Sequence, residues 1–376
     1  MRVAVHVGQL LQPIPGGIGR YVEHLVRTLP AVGVEPVAFA AGPPPSLLTA
    51  GHDDDVPYVD VGWPTGALRY EVWHRLRRPV VPVPGDVVHA TSLAVVPAGK
   101  RPLVVTVHDL VFLRHPEHLT PRGVSFHRRG LELARREAEA VVVPTAFGRD
   151  ELLAEGFDGD RVHVALHGVE VPPGVEVPPP PDGSPTGAAS RFPPGVRPPF
   201  VLFVGTLEPR KGVVDLLAAH ATLRRSNPDL ALVLAGARGW GTALDLSAAG
   251  VVALGHTHDG DLDGLYRAAV ALALPSRYEG FGLPVIEAMA RGCPVVTSDA
   301  GALVEVGGGA ATVVPVGDVH ALTGALERLM VDEEHRADRV VAGHRRAEGF
   351  TWAASAQAHA GAYRAALGAG GGTAGE

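Results

Sequence analysis

Residues 270–290 constrain this chain more than any other stretch. Val270 to Leu274 is an unbroken apolar run, the character of a strand buried on both faces of a parallel sheet. A glycine-bearing turn follows, and Pro284 marks the first turn of a helix. Strand, glycine turn and helix in that order form the repeating unit of layered α/β domains. The unit puts Glu279 in the turn and Glu287 inside the helix. A helix N-terminus offers backbone N–H groups to phosphate oxygens, and a carboxylate free of partners accepts bonds from sugar hydroxyls. Two solvated glutamates on a tight connection is one reading of this spacing. A site for a ligand carrying both phosphate and sugar is the other. Gly280-Phe281-Gly282-Leu283-Pro284 between the two acids, at a strand's end, favours the second.

The same alternation runs through the chain. In the first part, strands are predicted at 2–7, 35–40, 87–89, 103–107, 140–143 and 162–165, with helices at 18–29, 125–139 and 148–155. Residues 172–199 are rich in Pro, Gly and Ser and read as a linker or exposed excursion. The pattern then restarts. Strands are predicted at 200–204, 231–235, 251–254, 270–274 and 294–297, with helices at 213–226, 260–268, 284–291 and 321–330. The fold class is therefore α/β, with two Rossmann-like domains facing across a cleft, residues 1–171 and 200–351. In open sheets of this kind ligands sit at the carboxyl ends of strands. The tail, 368–376, is Gly/Ala-rich and reads as disordered.

Composition removes several classes. Net charge is −7, which argues against a nucleic-acid partner. Cys293 is the single cysteine, so no intrachain disulfide forms, in keeping with a cytoplasmic protein. No segment approaches the length of a membrane span. No His/Cys spacing fits zinc, and the acidic run Asp53-Asp54-Asp55 reads as a loop tip, so no metal and no cofactor are expected. Of 33 basic residues only Lys100 and Lys211 are lysines, the usage of a GC-rich bacterial genome.

Three further constellations lie at strand ends. Gly16 and Gly17 follow the first strand, as a plain turn or as a loop whose backbone can approach a phosphate. His108 closes Thr106-Val107-His108-Asp109, where a histidine is structural or reaches a ligand. Arg210 and Lys211 stand in Leu207-Glu208-Pro209-Arg210-Lys211-Gly212. They offer a fork of donors and a point charge that suit a diphosphate.

Taken together, the Gly16-Gly17 loop, Val107-His108-Asp109-Leu110, Val204 to Lys211 and the Glu279…Glu287 motif resemble the retaining family 4 glycosyltransferases of GT-B fold, of the bacterial mannosyl- and glucosyltransferase type. The resemblance spans nearly the whole chain. It implies hexose transfer, mannose favoured, from a nucleotide sugar to a glycan, glycolipid or small-molecule hydroxyl in envelope biosynthesis, with GDP-mannose first and UDP-glucose second as donor. It implies that Arg210 and Lys211 neutralise the departing diphosphate and that Gly16 and Gly17 lie over it. Glu279 would bond the donor sugar beside the backbone of Gly280, Phe281, Gly282 and Leu283. Glu287 would hold the ribose, and His108 would contact the sugar near its anomeric carbon. Metal independence is implied, as is a final helix, 352–367, crossing back to the first domain. Many relatives carry arginine where Thr206 stands, a charge that Arg210 would replace, and a Pro-Glu pair where this chain has Asp299-Ala300. An epimerase of the same fold and a non-catalytic nucleotide-sugar binder are the competing readings. Arg122, His127, Arg128, Arg129, Arg135 and Arg136 form either a solvated helix face or a patch that contacts anionic membrane.

Overall fold

The computed structural model describes residues 1–49, 56–62, 66–170, 192–239 and 244–370. The chain forms two compact units. One comprises Met1–Gly168 with Thr351–Glu376, the other Val169–Phe350.

The first unit holds a parallel sheet of seven strands in the order β3-β2-β1-β4-β5-β6-β7. These are β1 Arg2–His6, β2 Glu35–Ala40, β3 Tyr58–Asp60, β4 Val87–Ala90, β5 Leu103–Thr106, β6 Ala140–Val143 and β7 Val162–Val164. Its helices are α1 Gly16–Thr28, α2 Ser46–Thr49, α3 Gly66–Leu76, α4 Val111–Arg114, α5 Pro121–Glu137 and α6 Ala146–Ala154. The central strands β4, β5 and β6 are buried at every position. That explains their unbroken Val-rich runs, because helices cover both faces of a parallel sheet.

The second unit repeats the plan with six parallel strands in the order β10-β9-β8-β11-β12-β13. They are β8 Phe200–Val204, β9 Ala231–Ala235, β10 Val251–Gly255, β11 Ala271–Leu274, β12 Val295–Ser298 and β13 Thr312–Val314. The helices are α7 Val213–Leu223, α8 Asp259–Ala268, α9 Leu283–Ala290, α10 Ala302–Gly307, α11 Val319–Val331 and α12 Glu333–Ala347. In both sheets the strand order reverses beside the first strand, between β1 and β4 and between β8 and β11. Loops at such a switch point diverge and leave a crevice at the carboxyl ends of the strands.

α13, Trp352–Gly370, belongs to the first unit. Trp352, Ser355, Ala356, His359, Ala360, Tyr363 and Ala366 are buried at helical spacing. Trp352 stacks on His24 of α1 with centroids 4.5 Å apart and planes within 7°. The helix continues through Gly370, so residues 368–370 are ordered where the sequence reading has a disordered tail. Residues 371–376, Asp53–Asp55 and most of the Pro-rich stretch lie outside the described residues.

Candidate donor site

The loops after β8 and β11 flank the switch point of the second sheet. The β8 loop ends in a turn of 3-10 helix, Pro209–Lys211, and Gly212 then starts α7 at φ 68°. A Cβ on Gly212 would lie 2.0 Å from the Pro275 carbonyl oxygen. Glycine there lets the two loops touch. Arg277 N donates to Arg210 O at 2.6 Å, and the Arg277 guanidinium reaches Asp215 of α7 at 2.9 Å. Gly212→Ala forces both a left-handed alanine and a backbone collision. We expect it to destabilise the second unit by about 2 kcal/mol or more, read from its chemical denaturation midpoint. A midpoint within error of wild type would mean the loops do not depend on this approach.

The contact brings Arg210, Lys211 and Glu279 together. Lys211 Nζ donates to Glu279 Oε1 at 2.5 Å, and Arg210 lies 3.3 Å from Glu279 Oε2. Ser276 Oγ donates to the same carboxylate at 2.8 Å. Arg210 Nε pairs with Glu208 at 2.7 Å. The Lys211 and Glu279 side chains are 12% and 7% exposed, so this is a buried charge cluster. Burial pushes the Glu279 carboxyl up, but Lys211, Arg210 and Ser276 outweigh it and hold it at about 2. Burial and neighbouring Arg210 pull the Lys211 ammonium down, while Glu279 pulls it up.

Two expectations change here. Glu279 is not free for hydroxyls, because two cations and a hydroxyl already occupy it. Nor are Arg210 and Lys211 simple diphosphate receptors. With Glu208 and Glu279 they make a cluster of two positive and two negative groups. Glu208 and Ser276 were not singled out from sequence, although both stand inside the quoted motifs.

α9 opens on Gly282 in the left-handed region at φ 93°, with Pro284 in its first turn. Gly280, Phe281 and Gly282 are buried and Leu283 is half-buried. Glu287 is 6% exposed, and its Oε2 accepts from Tyr266 Oη of α8 at 2.8 Å. Tyr266 lies 21 residues before Glu287, and no local pattern marks it. The unusual 299–305 loop is tied in by Ala302 N, which donates to Glu279 O at 3.2 Å, and by Asp299, which accepts from Val316 N at 2.9 Å.

Gly16, Gly17 and His108 lie in the first unit. Gly16 and Gly17 are exposed and form the first turn of α1, two residues earlier than predicted. His108 follows β5, and its Nε2 donates to Thr91 O at 2.9 Å. Burial lowers its pKa, against smaller upward pulls from the Thr91 carbonyl and Asp109. The neutral ring then keeps a lone pair on Nδ1. In the basic cluster, Arg135 pairs with Glu132 at 2.8 Å, and Arg122 and Arg136 stand 3.8 and 3.9 Å from Glu71 and Glu137. Glu137 is chiefly held by Arg77, at 2.6 Å.

Two parallel-sheet Rossmann-like domains with this motif order define the GT-B type of glycosyltransferase. Residues 15–171 match the model "Glycosyltransferase Family 4" and residues 190–346 match "Glycosyl transferases group 1". The chain is 30% identical to D-inositol 3-phosphate glycosyltransferase of Nocardia farcinica, over 97% of this chain and 89% of that one. It is 30% identical to O-antigen chain mannosyltransferase B of Escherichia coli, over 66% of each. Sucrose-phosphate synthase from Thermosynechococcus elongatus superimposes with a TM-score of 0.73 at 19% identity, covering 98% of this chain and 100% of that one. The chain belongs to glycosyltransferase family 4, of the bacterial type.

Proposed function

We propose that this glycosyltransferase moves a hexose, mannose before glucose, from a nucleotide sugar to an acceptor hydroxyl in envelope polysaccharide or glycolipid synthesis. The supporting observation is the Arg210–Lys211–Glu279 cluster at the switch point of the second sheet. The diphosphate takes Lys211 and Arg210 from Glu279. The released carboxylate then accepts from the sugar hydroxyls, while Glu287, steadied by Tyr266, holds the ribose. As the bond to the leaving group breaks, negative charge grows on the diphosphate and the sugar becomes oxocarbenium-like. Two cations fixed in a buried site stabilise that charge better than water does.

Retention at the anomeric carbon follows from front-face displacement, in which the leaving phosphate helps to take the acceptor's proton. His108 serves the sugar being transferred, a role carried over from the family pattern. No metal is needed in this scheme, since the cations are side chains. Among the described residues no helix is long and apolar enough to cross a membrane, and we place the reaction in the cytoplasm.

A thermal-shift screen against GDP, UDP, ADP and their sugar conjugates without metal tests this reading. One nucleotide at 100 times its Kd should stabilise the protein by about 2.7 kcal/mol. Glu287→Ala and Lys211→Ala should abolish the shift. A folded protein that none of these ligands stabilises overturns the proposal.

A further inference from the structure

Five buried side chains of the first unit form one hydrogen-bonded line that the donor-site chemistry does not use. Tyr363 Oη lies 2.9 Å from His89 Nδ1, and His89 Nε2 lies 2.8 Å from Thr106 Oγ1. Thr106 Oγ1 is 2.9 Å from Tyr21 Oη, which is 2.8 Å from His359 Nε2. His359 Nδ1 ends the line 2.8 Å from Ser355 O. Each of the five side chains is at most 1% exposed. Both ends belong to α13. The middle members come from α1, β4 and β5.

One carbonyl decides every proton in this line. Ser355 O can only accept, so His359 carries its hydrogen on Nδ1. A neutral ring then leaves Nε2 as an acceptor, and the Tyr21 hydroxyl must donate to it. Tyr21 has a single hydrogen, so its oxygen accepts from Thr106. Thr106 in turn accepts from His89 Nε2–H, and His89 Nδ1 accepts from Tyr363. Reversing the direction would set a lone pair of His359 against the Ser355 carbonyl. Burial supports the neutral rings: it lowers His359 to about 4 and His89 well below its usual value.

Tyr21 also packs against His108. Its ring meets the His108 imidazole edge to face, with centroids 5.0 Å apart and planes at 78°. His167 packs on both rings, its centroid 4.8 Å from that of Tyr21 and 5.8 Å from that of His108. Thr91 O holds one end of His108 while its own Oγ1 donates to His6 O at 2.6 Å.

We propose that Tyr21 is a positioning residue for His108, and that the C-terminal helix α13 sets Tyr21 through His359. The proposal rests on His108 serving the transferred sugar. A segment more than 240 residues away in sequence then orients an imidazole at the end of β5, and undocking α13 loosens that ring.

Long-range proton–nitrogen spectra of the full chain labelled with 15N-histidine test it, with assignments from single His→Gln variants. The expected tautomers are Nδ1–H for His359 and Nε2–H for His89 and His108. His359→Leu removes the acceptor for Tyr21 and should move both His108 nitrogen shifts towards averaged values. His359→Gln returns an amide oxygen to the Tyr21 hydroxyl and should keep them. In hydrolysis of UDP-glucose or GDP-mannose, whichever stabilises the protein, His359→Leu should lower kcat about tenfold with the donor KM little changed. The glutamine variant should restore kcat. An Nε2–H tautomer at His359, or His108 shifts unmoved in His359→Leu, overturns the proposal. If His108→Ala abolishes turnover while His359→Leu matches wild type, the positioning role alone fails. If His108→Ala leaves turnover intact, the role assigned to His108 fails, and the proposal falls with it.

Discussion

Glu279→Ala is expected to lower the stability of the second unit by about 3–5 kcal/mol, the usual cost of removing one partner of a buried charge pair. The carboxylate takes a 2.5 Å bond from Lys211, a 3.3 Å contact from Arg210 and a 2.8 Å bond from Ser276. Without it, Lys211 stays buried with no carboxylate in contact, and Ser276 loses its acceptor. The penalty is mostly that stranded charge, so Glu279→Ala combined with Lys211→Met should recover part of the loss. Chemical denaturation of the two single variants and the double variant measures the coupling.

Activity should separate from binding in the same variant. Turnover of the nucleotide sugar should vanish, because no carboxylate remains for the sugar hydroxyls. Stabilisation by the nucleoside diphosphate alone should persist or grow, because Lys211 and Arg210 no longer have to leave Glu279 to reach phosphate. Loss of diphosphate stabilisation in Glu279→Ala, equal to that in Lys211→Ala, would sink the exchange of partners proposed for this site.

Acid should weaken the first unit before the second. Burial depresses His6, His74 and His359 of the first unit to about 4, with repulsion from Arg77, Arg129 and His127 adding at His74 and from His108 at His359. A histidine whose folded pKa lies below its unfolded value of about 6.5 gives its full stability above that value. The contribution is lost as pH falls from 6.5 towards 4, because the unfolded chain takes up the proton first. Each fully buried ring, His6 and His359, forfeits about 2 kcal/mol by pH 5. Glu279 is shifted in the same direction but acts in a lower pH window. Its folded pKa of about 2 lies below the unfolded value, so its contribution is full above about pH 4.5 and fades only below that. Calorimetry between pH 7 and 5 should therefore show the transition of the first unit moving down further than that of the second, where burial also lowers His220 and His344. His359→Gln should flatten the slope of the first. Parallel movement of both transitions would mean the buried histidines do not govern acid stability.

Much of the architecture can be read from residue order. Glu35–Ala40, Ala140–Val143, Phe200–Val204 and Ala231–Ala235 occupy their predicted limits, and most other predicted strands are within a residue or two. Such strands are apolar at nearly every position because both faces of the sheet are covered, and a short apolar run between glycines has few other ways to fold. The elements that escaped are those without that signal. β3 and β13 have three residues each. α12 is a run of charged residues capped by Asp332, which accepts from His335 N at 2.9 Å, and only Val340, Gly343 and Ala347 are buried along it. It packs on α9 and α11 within the second unit.

The residue sequence by itself determined the α/β alternation, the glycine turns after β8 and β11, and the charged groups those turns carry. These are local properties: apolar period, left-handed glycine and helix start act within a few residues. Tertiary structure alone decided what the charges do. Glu279 meets Lys211 across 68 residues of chain, and His359 meets Tyr21 across 338, because strand order places those loops and helices side by side. A carboxylate that the sequence offered to a sugar is thereby held first by cations. Direction in the buried line of Tyr and His is set by one helical carbonyl. Both outcomes come from polar groups shut away from water, which must find partners among whatever the fold brings within reach.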